Sequence, residues 1–146
     1  MDKIIKKAIF SAVEKEPFAQ TLGMKIIDLD DGYSLVEMIY NPDVMDNMFL
    51  RAHGGAVFSL IDEAFETVCQ TDGTVVVALN VSVTYVSSPK PGTCLRAEAK
   101  EISRTKKIAN YNIKVTDQDR QLIATCQAMA FRTGKPVPFL LQTPAT

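Results

Sequence analysis

The sequence contains no tryptophan, only one histidine and three cysteines, and it has no long run of apolar residues. One histidine among scattered acids does not indicate a metal site, because metal ligands occur in characteristic groups. Cys69, Cys94 and Cys126 stand far apart without a C-x-x-C spacing, which is typical of free thiols in a reducing compartment. The N-terminal segment has the pattern of neither a secretion signal nor a membrane span. We therefore expect a cytoplasmic protein with no metal or other cofactor.

Charge and composition narrow the class of protein further. Basic and acidic residues nearly balance, at 16 against 17, so no basic surface indicates nucleic-acid binding. Hydrophobic residues make up 47% of the 146, which is enough apolar material for one core. The length fits one ordinary domain, and neither a linker nor an internal repeat is visible. We predict a single domain over residues 1–146 that binds neither nucleic acid nor a membrane.

Hydrophobic periodicity predicts an α+β layout. Apolar residues at helical spacing predict an N-terminal helix over 2–15, which Pro17 helps to end, so that residues 1–20 form a helix and a lead-in. Residues 24–40 contain two predicted strands, and 41–53 form a long loop. Later strands are predicted from 74 onward, over 93–103, over 107–116 and over 121–132. The tail from Thr133 has three prolines and no period, so we expect it to be loosely held.

Residues 54–70 form the dominant predicted helix, and it has one acid at the border of the core. Its apolar arc is formed by Val57, Leu60, Ile61, Ala64, Phe65 and Val68. Asp62 falls just past this arc, so we expect a half-buried carboxylate, whereas Glu63 and Glu66 are predicted to be solvated. A buried carboxylate is costly unless it is hydrogen-bonded or has a function. A structural hydrogen bond and a chemical role for Asp62 are therefore both open.

The sequence His53-Gly54-Gly55 directly precedes this helix. Two glycines at a helix start let a ligand or another backbone approach closely. The first amides of a helix have no partner within the helix and carry the positive end of its dipole, which can stabilise an oxyanion. A tight turn capped by the histidine would use the same residues. Both interpretations stand at this point.

The stretch HGGAVFSLIDEAFETV resembles the signature of hotdog-fold acyl-CoA thioesterases, in particular the phenylacetate-degradation (PaaI-like) branch. In that family a catalytic acid follows the histidine by nine positions, here Asp62, and an asparagine precedes it by six, here Asn47. The stretches PFAQTLGMKI and VSVTYVSSPKPG also resemble family segments. One departure is Ala78, which stands where many relatives carry serine or threonine; Asn80 or Thr74 would have to substitute.

The resemblance implies a fold and a reaction. The fold would be an α+β hotdog, an antiparallel sheet wrapped around one long central helix with a short N-terminal helix. The reaction would be hydrolysis of an acyl-CoA. The Gly54 amide would polarise the thioester carbonyl, and Asp62 would act as general base on water or as nucleophile. Asn47 would orient the water or the thioester, and His53 would support the loop or the carbonyl.

Spacing along the helix adds a prediction about assembly. Gly54 and Asp62 are eight positions apart, which is roughly 12 Å along a helix, whereas one carbonyl needs both groups within about 3 Å. Each site would therefore combine two subunits. This agrees with the resemblance, which implies a homodimer with two equivalent sites at its interface. A homotetramer, as a dimer of dimers, is also expected.

The predicted partner is acyl-CoA. Its phosphates need cationic or amide donors near the pocket mouth. The candidates for substrate binding are Gly55, Phe58, Lys90, Arg104, Lys106 and Arg132. Met48, Phe49 and Leu50 could line an acyl pocket together with Phe58, and would accept an aryl or a medium-chain aliphatic group. Two other functions stay open: a non-catalytic acyl-CoA binder, and a hotdog dehydratase, which usually uses a different local motif.

Overall fold

The computed structural model describes residues 1–142, in which one antiparallel sheet surrounds a long helix. The helices are α1 (Lys3–Val13), α2 (Pro17–Leu22), α3 (Pro42–Met45) and α4 (Gly54–Cys69), and a 3-10 helix covers Pro138–Gln142. The strands are β1 (Lys25–Asp30), β2 (Tyr33–Ile39), β3 (Thr74–Tyr85), β4 (Cys94–Arg104), β5 (Ile108–Thr116) and β6 (Leu122–Pro136). None of the helices in this described part has the length and apolar character needed to cross a membrane.

The strand order β1-β2-β4-β5-β6-β3 leaves β1 and β3 at the two edges of the sheet, and every neighbouring pair is antiparallel. Helix α4 contacts all six strands, so the sheet curves around it. This is the predicted hotdog arrangement, with the long helix in the centre and a short helix at the N-terminus. The fold class expected from the sequence is confirmed.

Helix α4 fits inside the sheet because the sheet presents small side chains to it. The predicted apolar arc is buried as expected, from Val57 at the first turn to Val68 at the last. Opposite it, six buried alanines line the sheet: Ala97, Ala99, Ala109, Ala124, Ala128 and Ala130. Short side chains on one surface let the larger ones of the other fill the space at native density. Phe65 fills such a space, packing edge-to-face on Tyr111 with ring centroids 5.3 Å apart.

The N-terminal segment contains one more helix than the sequence predicted. Helix α1 begins at an Asp2 cap, whose Oδ1 accepts from the amides of Ile4 and Ile5, and it ends at Val13. Pro17 does not end it but begins α2, because a proline lacks the amide hydrogen that the first turn of a helix leaves unused. The prediction for Pro17 was wrong for this reason.

The C-terminal segment is held more firmly than the sequence predicted. Strand β6 continues past Arg132 to Pro136, and the Thr133 hydroxyl donates to the Val75 carbonyl at 2.7 Å. Val137 is buried, and its amide donates to the Gly73 carbonyl at 3.0 Å. The prediction of a loose tail is therefore wrong as far as Val137, since a proline is tolerated at a strand end. For 143–146 the prediction falls outside the described residues.

Enlarging one of the sheet alanines should test the packing of α4. We expect Ala99→Leu to lower the free energy of unfolding by roughly 1–3 kcal/mol, because no space remains between β4 and the helix. Lys114→Leu adds a leucine at an exposed position of β5 and should change the free energy by less than about 0.5 kcal/mol. Urea unfolding followed by circular dichroism measures both. Equal effects of the two substitutions would contradict the tight-packing account.

Candidate active site

The segment that leads into α4 folds into a tight loop around Asn47. Its Oδ1 accepts from the amides of Phe49 and Arg51, at 2.8 and 3.3 Å, and its own amide donates to the Arg51 carbonyl at 2.7 Å. An isolated bridge between Asp46 and Ala52 closes the loop. The predicted loop over 41–53 thus also contains α3 and this bridge. The Asn47 side-chain NH2 donates to no group of residues 1–142, so it is free to bind a water or a ligand.

His53 is the N-cap of α4. Its Nδ1 accepts from the Gly55 amide at 2.8 Å, and its backbone amide donates to the Met45 carbonyl at 2.7 Å. An Nδ1 that accepts a hydrogen bond leaves the proton of a neutral imidazole on Nε2. The capping interpretation of His53 is confirmed, and the cap holds the exposed ring with its Nε2–H directed away from the helix amides.

The two glycines are needed for two different contacts. A Cβ on Gly54 would lie 3.2 Å from Cζ of Tyr85, whose hydroxyl donates to the Gly54 carbonyl at 3.0 Å. A Cβ on Gly55 would lie 3.0 Å from the His53 Nδ1. The Gly54 amide itself donates to no group within the described chain. The first turn of α4 therefore presents one free N–H at the positive end of the helix dipole.

Asp62 lies in the middle of α4, and its carboxylate accepts no hydrogen bond from residues 1–142. In the single chain it is exposed, so the prediction of a half-buried side chain was wrong. The protein around it still withdraws enough solvent to raise the pKa of Asp62. Burial raises the pKa of the Cys126 thiol to about 11, and the Asp62 charge adds to this shift.

Comparison with known proteins identifies the family. Residues 51–124, about half of the chain, match the thioesterase superfamily, and this segment contains His53, Gly54 and Asp62. The chain belongs to the thioesterase superfamily. This thioesterase is 33% identical over 119 residues to a protein of Archaeoglobus fulgidus, with 82% of this chain and 77% of that protein covered. It is 29% identical over 121 residues to the acyl-coenzyme A thioesterase PaaI of Escherichia coli, covering 83% and 86%.

Solved structures agree with this family. The structure of E. coli PaaI, from the phenylacetic acid degradation operon, superposes with a TM-score of 0.86 at 27% identity, covering 91% of this chain and 96% of that one. A Streptococcus mutans protein bound to acetyl CoA has a TM-score of 0.73 at 25% identity, covering 78% and 91%. The resemblance to the PaaI-like branch of hotdog thioesterases is therefore confirmed, and the protein is a thioester hydrolase.

The resemblance implied a serine or threonine on the strand that follows α4, at the position where this chain has Ala78. Thr74 is a poor substitute, because its hydroxyl donates to Asp72 Oδ1 at 2.6 Å, beyond the C-terminal end of the helix. Asn80 follows a bulge in β3, after Ala78, and is exposed. Of the two candidates, Asn80 has the freer side chain. Tyr85 was not among the predicted site residues. In the sequence it is marked only as an aromatic residue at the end of a strand.

The predicted phosphate-binding cations fall into two groups in the thioesterase. The Arg132 guanidinium bonds the Asp72 carboxylate and the Thr105 carbonyl. Arg104 forms ion pairs with three carboxylates, those of Asp31, Asp72 and Glu101. Lys90 and Lys106 are exposed and form no ion pair within the described residues. The charges of the two lysines are therefore not neutralised by a carboxylate of the described residues, whereas both arginines are already paired with carboxylates.

A cluster of three carboxylates lies next to Asp62, and the sequence did not indicate it. Oxygen atoms of Glu16, Glu63 and Glu66 lie within 4.8 Å of one another. Glu63 is only 3% exposed, so the prediction that it is solvated was wrong. The same side of α4 is buried one turn later, where the Thr67 and Ser34 hydroxyls are 2.7 Å apart. Helical periodicity assigned Glu63 to the polar arc, but β2 and the segment before α2 enclose that arc.

Burial controls the ionisation of this cluster. Desolvation, with the charges of Glu16, Glu66 and Asp62, raises the pKa of Glu63 to about 8. The pKa values of Glu16 and Glu66 are also raised, mainly by desolvation. The folded protein thus holds the Glu63 proton more tightly than the unfolded chain does. Burial of Glu63 is therefore least unfavourable below pH 4.5, its ordinary pKa, where the carboxyl is protonated in both the folded and the unfolded state. As the pH rises from 4.5 through 8, the free energy of unfolding falls.

Replacement of Glu63 by an amide should remove this pH dependence. In metal-free buffer at pH 9 we expect Glu63→Gln to be more stable than the parent by about 2–4 kcal/mol, since a tenfold change in proton affinity on folding corresponds to roughly 1.4 kcal/mol. At pH 5 the difference should be below about 1 kcal/mol. Glu14→Gln changes an exposed carboxyl outside the cluster and is the matched control. Urea unfolding at several pH values between 5 and 9 measures the free energy of unfolding of each variant. The same pH dependence of this free energy in the parent and in Glu63→Gln would contradict the prediction.

Proposed function

We propose that the protein hydrolyses the thioester of an acyl-CoA to a free acid and coenzyme A. The observation that carries this proposal is the pair of groups on α4 that lack partners within the described residues: the Gly54 amide and the Asp62 carboxylate. The names of two relatives support the substrate, since one is an acyl-coenzyme A thioesterase and another was crystallised with acetyl CoA.

The reaction uses each of these groups once. The Gly54 N–H donates to the carbonyl oxygen and stabilises the negative charge that forms there when the carbon is attacked. By one route Asp62 takes a proton from a water whose oxygen attacks the carbon; by the other its carboxylate attacks, and water then cleaves the anhydride. Either route breaks the carbon–sulfur bond. One water is consumed: its hydroxyl becomes part of the free acid, and its other proton goes to the sulfur, so that coenzyme A leaves as the thiol. The free NH2 of Asn47 orients the water or the thioester.

The two groups come from different chains in this proposal. They are separated by eight residues of one helix, or roughly 12 Å, and no single carbonyl can contact both. The site therefore pairs the Asn47-to-Gly54 segment of one chain with Asp62 of a second chain. A two-fold axis would generate two equivalent sites, because each chain then gives one half to each site.

Strand β3 supports such an association. It is twelve residues long, lies at the edge of the sheet and has one side without a pairing strand in residues 1–142. Its exposed apolar residues are Val77 at 48%, Leu79 at 53% and Tyr85 at 52%. A long apolar edge is prone to pair with another strand. Helix α4 also contacts β3, so pairing of two β3 strands would bring a second chain close to this helix.

The acyl group and the phosphates have candidate contacts. Met48, Phe49 and Leu50 are exposed by 87%, 74% and 82% in the single chain, and they stand between Asn47 and His53. Three neighbouring apolar side chains in this loop would become a pocket wall for an aryl or medium-chain acyl group once a second chain covers them. Phe58 and Gly55 border the same helix start, and Lys90 and Lys106 are the preferred cations for the phosphates.

Release of coenzyme A from aryl, short and medium acyl-CoAs, measured with a thiol reagent, tests the proposal and gives the acyl preference. Tight binding without release would favour the alternative, a non-catalytic acyl-CoA binder. Addition or loss of water at a hydroxyacyl group would favour a dehydratase. The homotetramer stays a prediction, which sedimentation of the same sample tests.

Removal of the proposed base or nucleophile should abolish turnover without affecting folding. We expect Asp62→Asn to lower kcat by about 100-fold or more, because an amide neither takes the proton nor attacks the carbonyl. The exposed position of Asp62 predicts a thermal unfolding midpoint close to that of the parent. Asp119→Asn, in the turn between β5 and β6, is the matched control and should keep full activity. Near-normal turnover by Asp62→Asn would exclude this role.

A mixture of two inactive variants should recover activity if the site is shared. One variant is Asp62→Asn, and the other combines Asn47→Ala with His53→Ala, so that each spoils a different half-site. In a mixed dimer one site collects all the lesions and the other is intact. Random exchange makes half of the dimers mixed, so about a quarter of the parental activity should return.

Subunit exchange is verified by mass spectrometry of differently labelled chains. No recovery after complete exchange would mean that each chain supplies its own complete site. An active monomer at the assay concentration, detected by sedimentation, would lead to the same conclusion.

A further inference from the structure

The Glu16, Glu63 and Glu66 cluster contains a buried atom that the described structure leaves without a partner. Oε1 of Glu63 is inaccessible to solvent and accepts no hydrogen bond within the described residues. It belongs to a carboxylate that is directed into the cluster, since one oxygen from each of the three side chains lies within 4.8 Å of the others. A buried polar atom without a partner destabilises the folded state, and more so if it is charged.

No positive charge of the described chain compensates these carboxylates. None of the ion pairs in residues 1–142 includes Glu16, Glu63 or Glu66. Every neighbouring charge that acts on the pKa of Glu63 is another carboxylate: Glu16, Glu66 or Asp62. A group of like charges at this distance is unfavourable unless a proton or a cation is shared among them. The arrangement therefore has the charge and the free oxygen that a bound cation requires.

We propose that Glu16, Glu63 and Glu66 form a binding site for a hard divalent cation of the Mg²⁺ or Ca²⁺ class. Such ions bind oxygen ligands at about 2.0–2.6 Å, so ligand oxygens on opposite sides of one ion are about 4–5 Å apart. The oxygens of the cluster all lie within 4.8 Å of one another, which is compatible with that range. The buried Glu63 provides the inner ligand, the partly exposed Glu16 and the exposed Glu66 provide the outer two, and water completes the coordination.

The cation would join two parts of the molecule that are distant in the sequence. Glu16 is the N-cap residue of α2 and has no side-chain capping bond, whereas Glu63 and Glu66 lie on α4. An ion held between them would fix the segment between α1 and α2 on the polar side of the central helix. The site is independent of the proposed reaction, although it lies next to Asp62.

Cation binding is tested on the full-length protein after treatment with EDTA. At pH 8 we expect Ca²⁺, Mg²⁺ or Mn²⁺ to raise the thermal unfolding midpoint by several degrees, with saturation below about 1 mM, as in the weaker oxygen-ligand sites of proteins. Isothermal titration calorimetry should give one ion per chain. Glu16→Gln should weaken binding at least 10-fold, and Glu63→Gln should abolish it. Glu14→Gln, with an exposed carboxyl two positions from Glu16, should bind as the parent does.

Three outcomes would overturn the proposal. One is the absence of saturable binding to the parent at up to 10 mM, roughly ten times the weakest expected Kd, which would leave a shared proton as the occupant. Another is equal binding by the parent and Glu63→Gln. The third is an oligomer in which a cationic side chain of a second copy occupies the cluster, visible as destabilisation by Glu63→Gln with no response to any of the three ions. Because Glu16 is partly exposed, Glu16→Gln keeps the test valid even if Glu63→Gln fails to fold.

Discussion

Enclosure of α4 by a single curved sheet is the constraint on which the rest of the structure depends. Sixteen residues of helix contact all six strands, which is possible only because alanines line the sheet where the helix passes closest. A helix surrounded in this way has little surface left for solvent. Its polar side chains must therefore pair with the sheet, as Thr67 does with Ser34, or bury a carboxyl, as Glu63 does, or remain at the open side, where Asp62 lies.

The same enclosure fixes the helix start. The bridge of the preceding loop and the His53 cap satisfy the backbone groups around Gly54, while the Gly54 amide itself stays free. A free amide is costly in a buried place and useful at an open one, because a substrate oxygen can bind there. His53 thus uses its Nδ1 to cap the helix, which leaves its Nε2–H available for the proposed contact with the thioester. A cap and the proposed oxyanion site would be two consequences of one turn.

Periodicity predicted the two long helices, the six strands and the apolar arc of α4 because these are local properties of the chain, whereas it missed the short helices α2 and α3. The ends of elements were less predictable. Pro17 begins a helix because a proline fits the first turn, and residues 133–136 stay in a strand because Thr133 bonds the distant Val75 carbonyl. For a related reason the structure reverses the predicted exposures of two acids: Asp62 is exposed and Glu63 is buried. A helical wheel shows which residues share a face, whereas the path of the surrounding chain determines which face is covered.

The hydrogen bond from Tyr85 to the Gly54 carbonyl links the free edge of the sheet to the first turn of the central helix. Displacement of the end of β3 therefore displaces the amide that points toward solvent. If a second chain pairs with β3, its docking is mechanically coupled to the geometry of the first turn of α4. Assembly would then act on the Gly54 amide through a contact that each chain already makes within itself.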